Sequence, residues 1–377
     1  MREVRTLLSP VRPQGGALEP LWWAAMALRR ELLGFRFDYP VDLVRAAGPK
    51  GSLHYHVYSD RLFFDAMESD DSGIPLQRSR HFQTYNPAYI AWYGLMSLER
   101  WLRGEDPGGR QTFLQQVEWL TTHAVERADA SLVWPFTVDW EEGACRLKAP
   151  WVSAMLQGLV ISALVRGYRI TGEQRLLDQC RRACAVFEVD VEDGGVRTIE
   201  RGGVIYEEYP GIPLPRVLDG YLFSLLGLYD LFAETNDPHV FQLFADGIGG
   251  LKDGLPSWDY REKWSWYGSH AYLCPPHYNK LNCALLASLA SLSGEQTLLR
   301  YAEAWTPNRL TALGRAEVYL IFQVTKNLSR LRHLLRRRLS RQPVPGLEPP
   351  SGAAVVSTNR LVVQATPKRP PGHPVAR

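Results

Sequence analysis

Four stretches of this chain share one plan, and that repetition constrains the fold more than any other feature. Each reads as an apolar helix, a short turn carrying Gly, Asn or Asp, and a second, amphipathic helix. The first is AYIAWYGLMSLERWL, turn GEDPGG, QTFLQQVEWL; the second is VSAMLQGLVISALVRGYRI, turn TGE, QRLLDQCRRACAVF. The third is GYLFSLLGLYDLFAE, turn TNDP, HVFQLFADGIGGL; the fourth is NCALLASLASL, turn SGE, QTLLRYAEAW. Turn anchors Gly104, Gly172, Asn236 and Gly294 stand 68, 64 and 58 residues apart. A fixed plan at a steady period is the mark of a repeat architecture. Helical hairpins that each bury one face against a neighbour can close into an α/α toroid. The expectation is a mainly α protein: an incomplete α/α toroid over residues 85–341, with a small N-terminal β segment.

The connections between hairpins, 121–150, 188–217 and 252–280, are long and rich in Trp, Tyr, Pro and Gly. Such connections gather at one end of a toroid and build a cleft there. Before the repeats, residues 1–36 carry an amphipathic helix pattern with Trp22, Trp23, Met26 and Leu33 near one face. Residues 37–84 shorten to strand-like pieces, LHYHVYS and RLFFDA, between Gly and Pro. His54 and His56 alternate onto one strand face, but no third ligand is in view, so ordinary strand histidines are expected. After Ala312 one more basic amphipathic helix is expected, ending in RLRHLLRRRLSR. Residues 342–377 hold eight prolines and little apolar periodicity. That composition cannot repay its ordering entropy, and a disordered Pro/Arg-rich tail is expected.

The net charge of +3 conceals an asymmetry: residues 326–377 carry +10 and residues 1–325 carry −7. A body of that sign is not a general polyanion binder; the basic tail could bind nucleic acid or an acidic membrane surface, but such a tail is more often solvated, and no nucleic-acid partner is expected. An acidic polymer would have to meet a local basic patch. The five cysteines lack framework spacing and read as buried thiols. Arg2 and Arg5 precede no sufficient apolar run, so no signal peptide is expected. No stretch reaches the length of a membrane span, and a cytoplasmic location is expected. No Gly-rich phosphate loop, Cys-x-x-Cys or His-Glu-x-x-His occurs, so no metal, nucleotide or redox cofactor is expected.

One stretch, VIYEEYPGIPLPRVLDGYLFSLLGLYDL from Val204 to Leu231, combines an acid–tyrosine cluster, a Pro/Gly turn and an apolar helix. Tyr206 to Pro210, Val217 to Gly220 and Gly227 to Leu231 make this stretch resemble the C-terminal domain of D-glucuronyl C5-epimerases. Gly73 to Leu76, Tyr85-Asn86-Pro87, Tyr93 to Leu95, Trp151 to Gln157 and Gly194 to Val196 resemble the family's other segments. The likeness is thus distributed over roughly residues 73–305. It implies a helical domain that inverts C5 of D-glucuronate units in a polysaccharide, without a cofactor, and it makes a homodimer plausible.

In that family three tyrosines surround the uronate. By resemblance they are Tyr209, Tyr267 in Ser265 to Gly268, and Tyr278 in Tyr278 to Asn282, with Glu208 beside the first. Two departures stand out. Gly268, Ser269 and His270 occupy positions where animal members carry a substrate-facing arginine, and Asn279 and Asn282 replace two histidines. Epimerisation removes a proton α to a carboxylate and returns one from the other face, so an acid and a base must flank one carbon. A phenol suits a weakly acidic C–H better than a carboxylate does. Tyr209 and Tyr278 are the expected acid and base, Tyr267 assists, and Glu208 tunes or orients. Nearby cations must stabilise the developing enediolate; by position, Arg80, Arg201, Arg216 and Lys280 are candidates. Tyr85, Asn86 and Tyr206 complete the expected substrate-binding set. Rival readings are a uronate lyase sharing the first step, a hydrolase using Glu207, Glu208 and Asp259, and a non-catalytic glycan-binding relative.

Overall fold

The structure is a computed structural model that describes residues 35–37, 67–78, 83–269 and 271–340. The chain divides into two units, residues 1–334 and 335–377. The expected strands at 53–66, with His54 and His56, lie outside the described residues. So do the tail 342–377 and all but Phe35 and Arg36 of the first helix pattern.

The described chain begins with a three-stranded antiparallel sheet of β1 (Glu68–Ser69), β2 (Pro75–Arg78) and β3 (Gln83–Tyr85). Four helical hairpins follow: α1 (Pro87–Leu102) with α2 (Gly109–Thr122), α3 (Ala154–Thr171) with α4 (Gln174–Cys184), α5 (Leu218–Thr235) with α6 (Pro238–Trp258), and α7 (Pro276–Ser293) with α8 (Gln296–Ala304). A long helix α9 (Ala312–Ser340) closes the described chain. Local chemistry sets the ends. Asn86 and Ser153 cap the N-termini of α1 and α3, and Asp237 caps α6 by accepting from the His239 amide. All four turn anchors adopt the left-handed conformation, with φ of 72° at Gly104, 74° at Gly172, 52° at Asn236 and 78° at Gly294. Only glycine, and less readily asparagine, enters that region cheaply, so these positions stop the helices.

Helices α1, α3, α5 and α7 pack side by side in sequence, while α2, α4, α6 and α8 each lie against their own hairpin partner. This is the incomplete α/α toroid. The inner helices carry the core, and α3 is buried on every side from Ala154 to Gly167. Two glycines allow the tightest crossing. A Cβ on Gly158 would stand 2.6 Å from the Ser224 Cα, and one on Gly227 would strike the Gly158 backbone.

The long connections are built from antiparallel hairpins: β4 (Val125–Glu126) with β5 (Leu132–Val133), β6 (Trp140–Glu142) with β7 (Cys145–Leu147), β8 (Arg197–Glu200) with β9 (Gly203–Tyr206), and β10 (Asp259–Tyr260) with β11 (Trp264–Ser265). One boundary differs from expectation. Residues 252–258 continue α6, and α7 starts six residues before the expected NCALL run. Pro276 at the head of α7 supplies a helix-ready φ and lacks only an amide that would be unpaired there. Tyr278 and Lys280 therefore stand in the opening turns of a helix rather than on a loop.

Candidate active site

Strand β9 ends at Tyr206, and the extended chain that follows is clamped from both sides. The Glu207 amide donates to the Val196 carbonyl at 2.8 Å, and the Glu207 carbonyl accepts from the Ala154 amide at 3.1 Å. Successive side chains of an extended segment point in opposite directions, so Glu207 and Glu208 part company. Glu207 accepts from the Thr198 hydroxyl at 3.1 Å and faces the Arg216 guanidinium at 3.3 Å. Burial pushes its carboxyl up to about 7, against the opposing pull of Arg216 and Thr198. Arg216 also pairs with Glu200 at 2.7 Å.

Glu208 turns the other way, onto the first turn of α5, and there accepts a hydrogen bond from the Tyr209 hydroxyl. Its carboxyl is buried beside that of Asp219. Desolvation first, and the Asp219 charge second, hold Glu208 far above the usual carboxylate range. Asp219 is raised as well, chiefly by burial, although it accepts from the amides of the α5 N-terminus. Glu208 Oε2 and Asp219 Oδ1 are buried without a hydrogen-bond partner. Two such neighbouring buried carboxyls each disfavour the other's ionisation.

Tyr209 is half-buried against Trp151, with ring centroids 5.9 Å apart, and Trp151 in turn stacks on Phe136 at 4.2 Å. Gln157, from the same Trp151 to Gln157 signature, donates to the carbonyls of Leu132 and Ala183 and fixes the approach to this wall. Tyr267 follows β11, and Tyr278 stands on α7; their rings lie 5.6 Å apart. Tyr209 feels Tyr278, and Tyr267 feels both Tyr209 and Tyr278, so the three phenols form one electrostatic cluster. Burial, then neighbouring acids, hold the Tyr209 and Tyr267 phenols well above their ordinary value. The loops carrying them are tied together, because Ser269 donates its amide to the Pro215 carbonyl and its hydroxyl to the Leu214 carbonyl.

Tyr206 is buried in the core, donating to the Leu243 carbonyl at 2.8 Å, with its ring against Phe187 and Tyr221. Asn86 is the α1 cap and donates to Gln77, while Tyr85 is exposed and hydrogen-bonded to Asp70. Each of the three thus has a local hydrogen-bond partner. Arg216, expected as a cation for substrate, is held by two carboxylates. Arg201 occupies the exposed β8–β9 turn, and Lys280 is half-buried on α7. Arg80 and His270 lie outside the described residues. Asp259 accepts from the Trp305 indole at 2.7 Å and from the Glu262 amide, a local brace. Asn279 accepts from the Ser265 amide and hydroxyl and donates to the Trp305 carbonyl; Asn282 donates to Ser265. Both asparagines thus secure β11 to α7.

Four contributors were not singled out from the sequence. Asp219 lies inside the quoted Val217 to Gly220 motif, which was its available signal. Glu142, on the β6–β7 hairpin, weighs on Tyr209 and Tyr267. Tyr272 stacks on Tyr267 with centroids 5.3 Å apart, and Lys326 of α9 sits over the Tyr272 ring. These three had no local signature. Among the described residues no group of three or more His, Cys, Asp or Glu could hold a metal ion. None of the described helices is long and apolar enough to cross a membrane.

Comparison with known proteins bears on this arrangement. Residues 128–307 match the family described as D-glucuronyl C5-epimerase C-terminus. A D-glucuronyl C5-epimerase of Caenorhabditis elegans is 30% identical over 213 residues, 51% of this chain and 34% of the relative. This chain thus spans about a third of that relative's length. An uncharacterized protein of Methanocaldococcus jannaschii is 25% identical over 219 residues, 54% of this chain and 70% of the relative. Among solved structures, the cellobiose 2-epimerase of Bacillus thermoamylovorans aligns with a TM-score of 0.42 and 11% identity, over 75% of this chain and 71% of that one. The matched residues take in Tyr209, Tyr267, Tyr278 and the Glu208–Asp219 pair, so over residues 128–307 this chain is similar to the D-glucuronyl C5-epimerase C-terminus.

Proposed function

We propose that this protein is a carbohydrate epimerase that inverts C5 of D-glucuronate units in an anionic polysaccharide by proton transfer through tyrosines. The observation that carries the reading is the meeting of Tyr209, Tyr267 and Tyr278, from three separate elements, beside a buried carboxyl pair. Tyr209 and Tyr278 serve as the opposed acid and base, with Tyr267 assisting. Removal of the C5 proton leaves the electron pair delocalised into the uronate carboxylate as an enediolate. The second phenol then delivers a proton to C5 from the other face.

A raised phenol is a poor base unless its own proton has somewhere to go. The Tyr209 hydroxyl already donates to Glu208. As Tyr209 takes the C5 proton, its hydroxyl proton passes to the Glu208–Asp219 pair, and in the reverse direction the pair returns it. Tyr209 thus never has to stand as an isolated phenolate in a buried, acidic setting.

The test is incubation with a heparosan-type polymer in heavy water, followed by NMR. Wild type should place deuterium at C5 of the inverted product. Tyr→Phe at the base for the supplied epimer should abolish exchange and inversion together. The same change at the acid should abolish inversion and leave slow exchange with retention. Full activity in both Y209F and Y278F would sink the assignment. New absorbance of an unsaturated uronate would make the protein a lyase, and new reducing ends a hydrolase. Binding with no exchange would make it a non-catalytic relative.

A further inference from the structure

The tyrosine cluster is an acidic place. The charges that weigh most on Tyr209 and Tyr267 come from Glu208, Glu142 and Asp219 and from the phenols themselves. Arg216, the cation nearest in sequence, is engaged by Glu200 and Glu207. An anion entering such a site without a cation would face both desolvation and repulsion.

Helix α9 brings one. Val318 and Phe322 pack into a core shared with Trp264, Leu273 and Cys274, and the Thr325 hydroxyl accepts from the Leu273 amide. Residues 318, 322, 325 and 326 share one helical face, so the packing that docks α9 also aims Lys326. Trp266 pairs with Leu273, the Tyr267 amide donates to the Tyr272 carbonyl, and Tyr267 and Tyr272 form a stacked pair. The Lys326 Nζ lies 3.5 Å from the Tyr272 ring centroid and 6.0 Å from that of Tyr267. Tyr267 in turn contacts Tyr278.

We propose that Lys326, beyond the matched domain, is the substrate-binding cation that holds the uronate carboxylate at the tyrosine cluster. This rests on the uronate reading above. The cation–π contact keeps the ammonium partly desolvated against the Tyr272 ring, beside Tyr267, which strengthens its pull on an incoming carboxylate. In the same position it offsets the charge that builds on that carboxylate as the enediolate forms.

The experiment is equilibrium binding of a heparosan hexasaccharide, and of its carboxyl-reduced form, to the full chain by calorimetry. K326Q should bind the carboxylated sugar about tenfold more weakly than wild type, the loss expected for one charge-assisted contact. K326R should recover most of that loss, and the carboxyl-reduced sugar should bind wild type and K326Q alike. An equal loss for both sugars would make Lys326 a mere support for the ring stack and overturn the proposal. Unchanged binding of the carboxylated sugar to K326Q would overturn it too. Wild type that binds neither sugar overturns the uronate reading and the proposal together. A charge-dependent loss in a protein that exchanges no C5 proton would leave Lys326 assigned and remove the epimerase reading alone.

Discussion

Gly220 lies directly under Glu208: a Cβ added to the glycine would stand 2.5 Å from the Glu208 Cβ and 2.7 Å from its carboxyl carbon. The glycine of the Val217 to Gly220 motif therefore makes room for the carboxyl that receives the Tyr209 hydrogen bond. Its φ is not in the left-handed region, so the requirement is space rather than backbone freedom. Gly220→Ala should push Glu208 off the α5 N-terminus at an overpacking cost of about 1–3 kcal/mol. Urea denaturation should register that loss, and C5 exchange should fall further than stability does. An alanine variant with wild-type exchange would show that the seat of Glu208 does not matter.

Glu207 links acidity to stability. Its folded-state pKa is raised from 4.5 to about 7, mainly by burial. Between those values the folded chain keeps a proton that the unfolded chain releases. The stability from this group is thus fully present below pH 4.5 and lost as the pH climbs through about 7. Compared with E207Q, wild type should lose about 1–3 kcal/mol over that window. Thermal melts of both proteins from pH 4 to 8 would show it. A difference that stays constant with pH would mean that Glu207 is charged throughout.

The pair Arg166–Asp230 crosses between α3 and α5 in the core, with Arg166 Nη1 2.5 Å from Asp230 Oδ2 and also donating to the Ser162 carbonyl. Asp230 is wholly buried. Asp230→Ala should cost about 3–5 kcal/mol, because it strands a buried guanidinium. The double variant R166M/D230L should recover much of that loss in chemical denaturation. Recovery of nothing would place the cost in packing rather than charge.

The crossing at Gly158 gives a sharper test of the inner ring. Gly158→Ala would set a methyl against the Ser224 Cα and the Phe223 carbonyl, rigid backbone that cannot swing aside. The helix-propensity gain of about 1 kcal/mol should be outweighed, leaving the variant less stable than wild type by about 1–3 kcal/mol. Gly249→Ala, which meets nothing within 4 Å, is the control that should show only the gain.

How much of this was legible beforehand depended on range. The four hairpins were readable because each is governed by neighbours in the chain: apolar period, N-cap, and an anchor able to take positive φ. The start of α7 was misjudged because Pro276 reads as punctuation when it stands in fact as a first helical residue. Among the expected substrate residues, Asn86 and Tyr206 have side chains that cap and pack as readily as they bind. Only their neighbours, Ala88 and Gln77 for one and Leu243 and Phe187 for the other, decide which.

The sequence by itself determined the helical repeat and its turns, which follow from local spacing and residue chemistry, and its motif marked Glu208 and Tyr209 by resemblance. The tertiary structure alone decided that Glu207 turns to Arg216 while Glu208 turns to Tyr209, because that choice hangs on the clamp from Val196 and Ala154. It alone brought Glu142, Tyr272 and Lys326 to the phenols across long stretches of chain. Charge acts through space, and the sequence records distance only along the backbone.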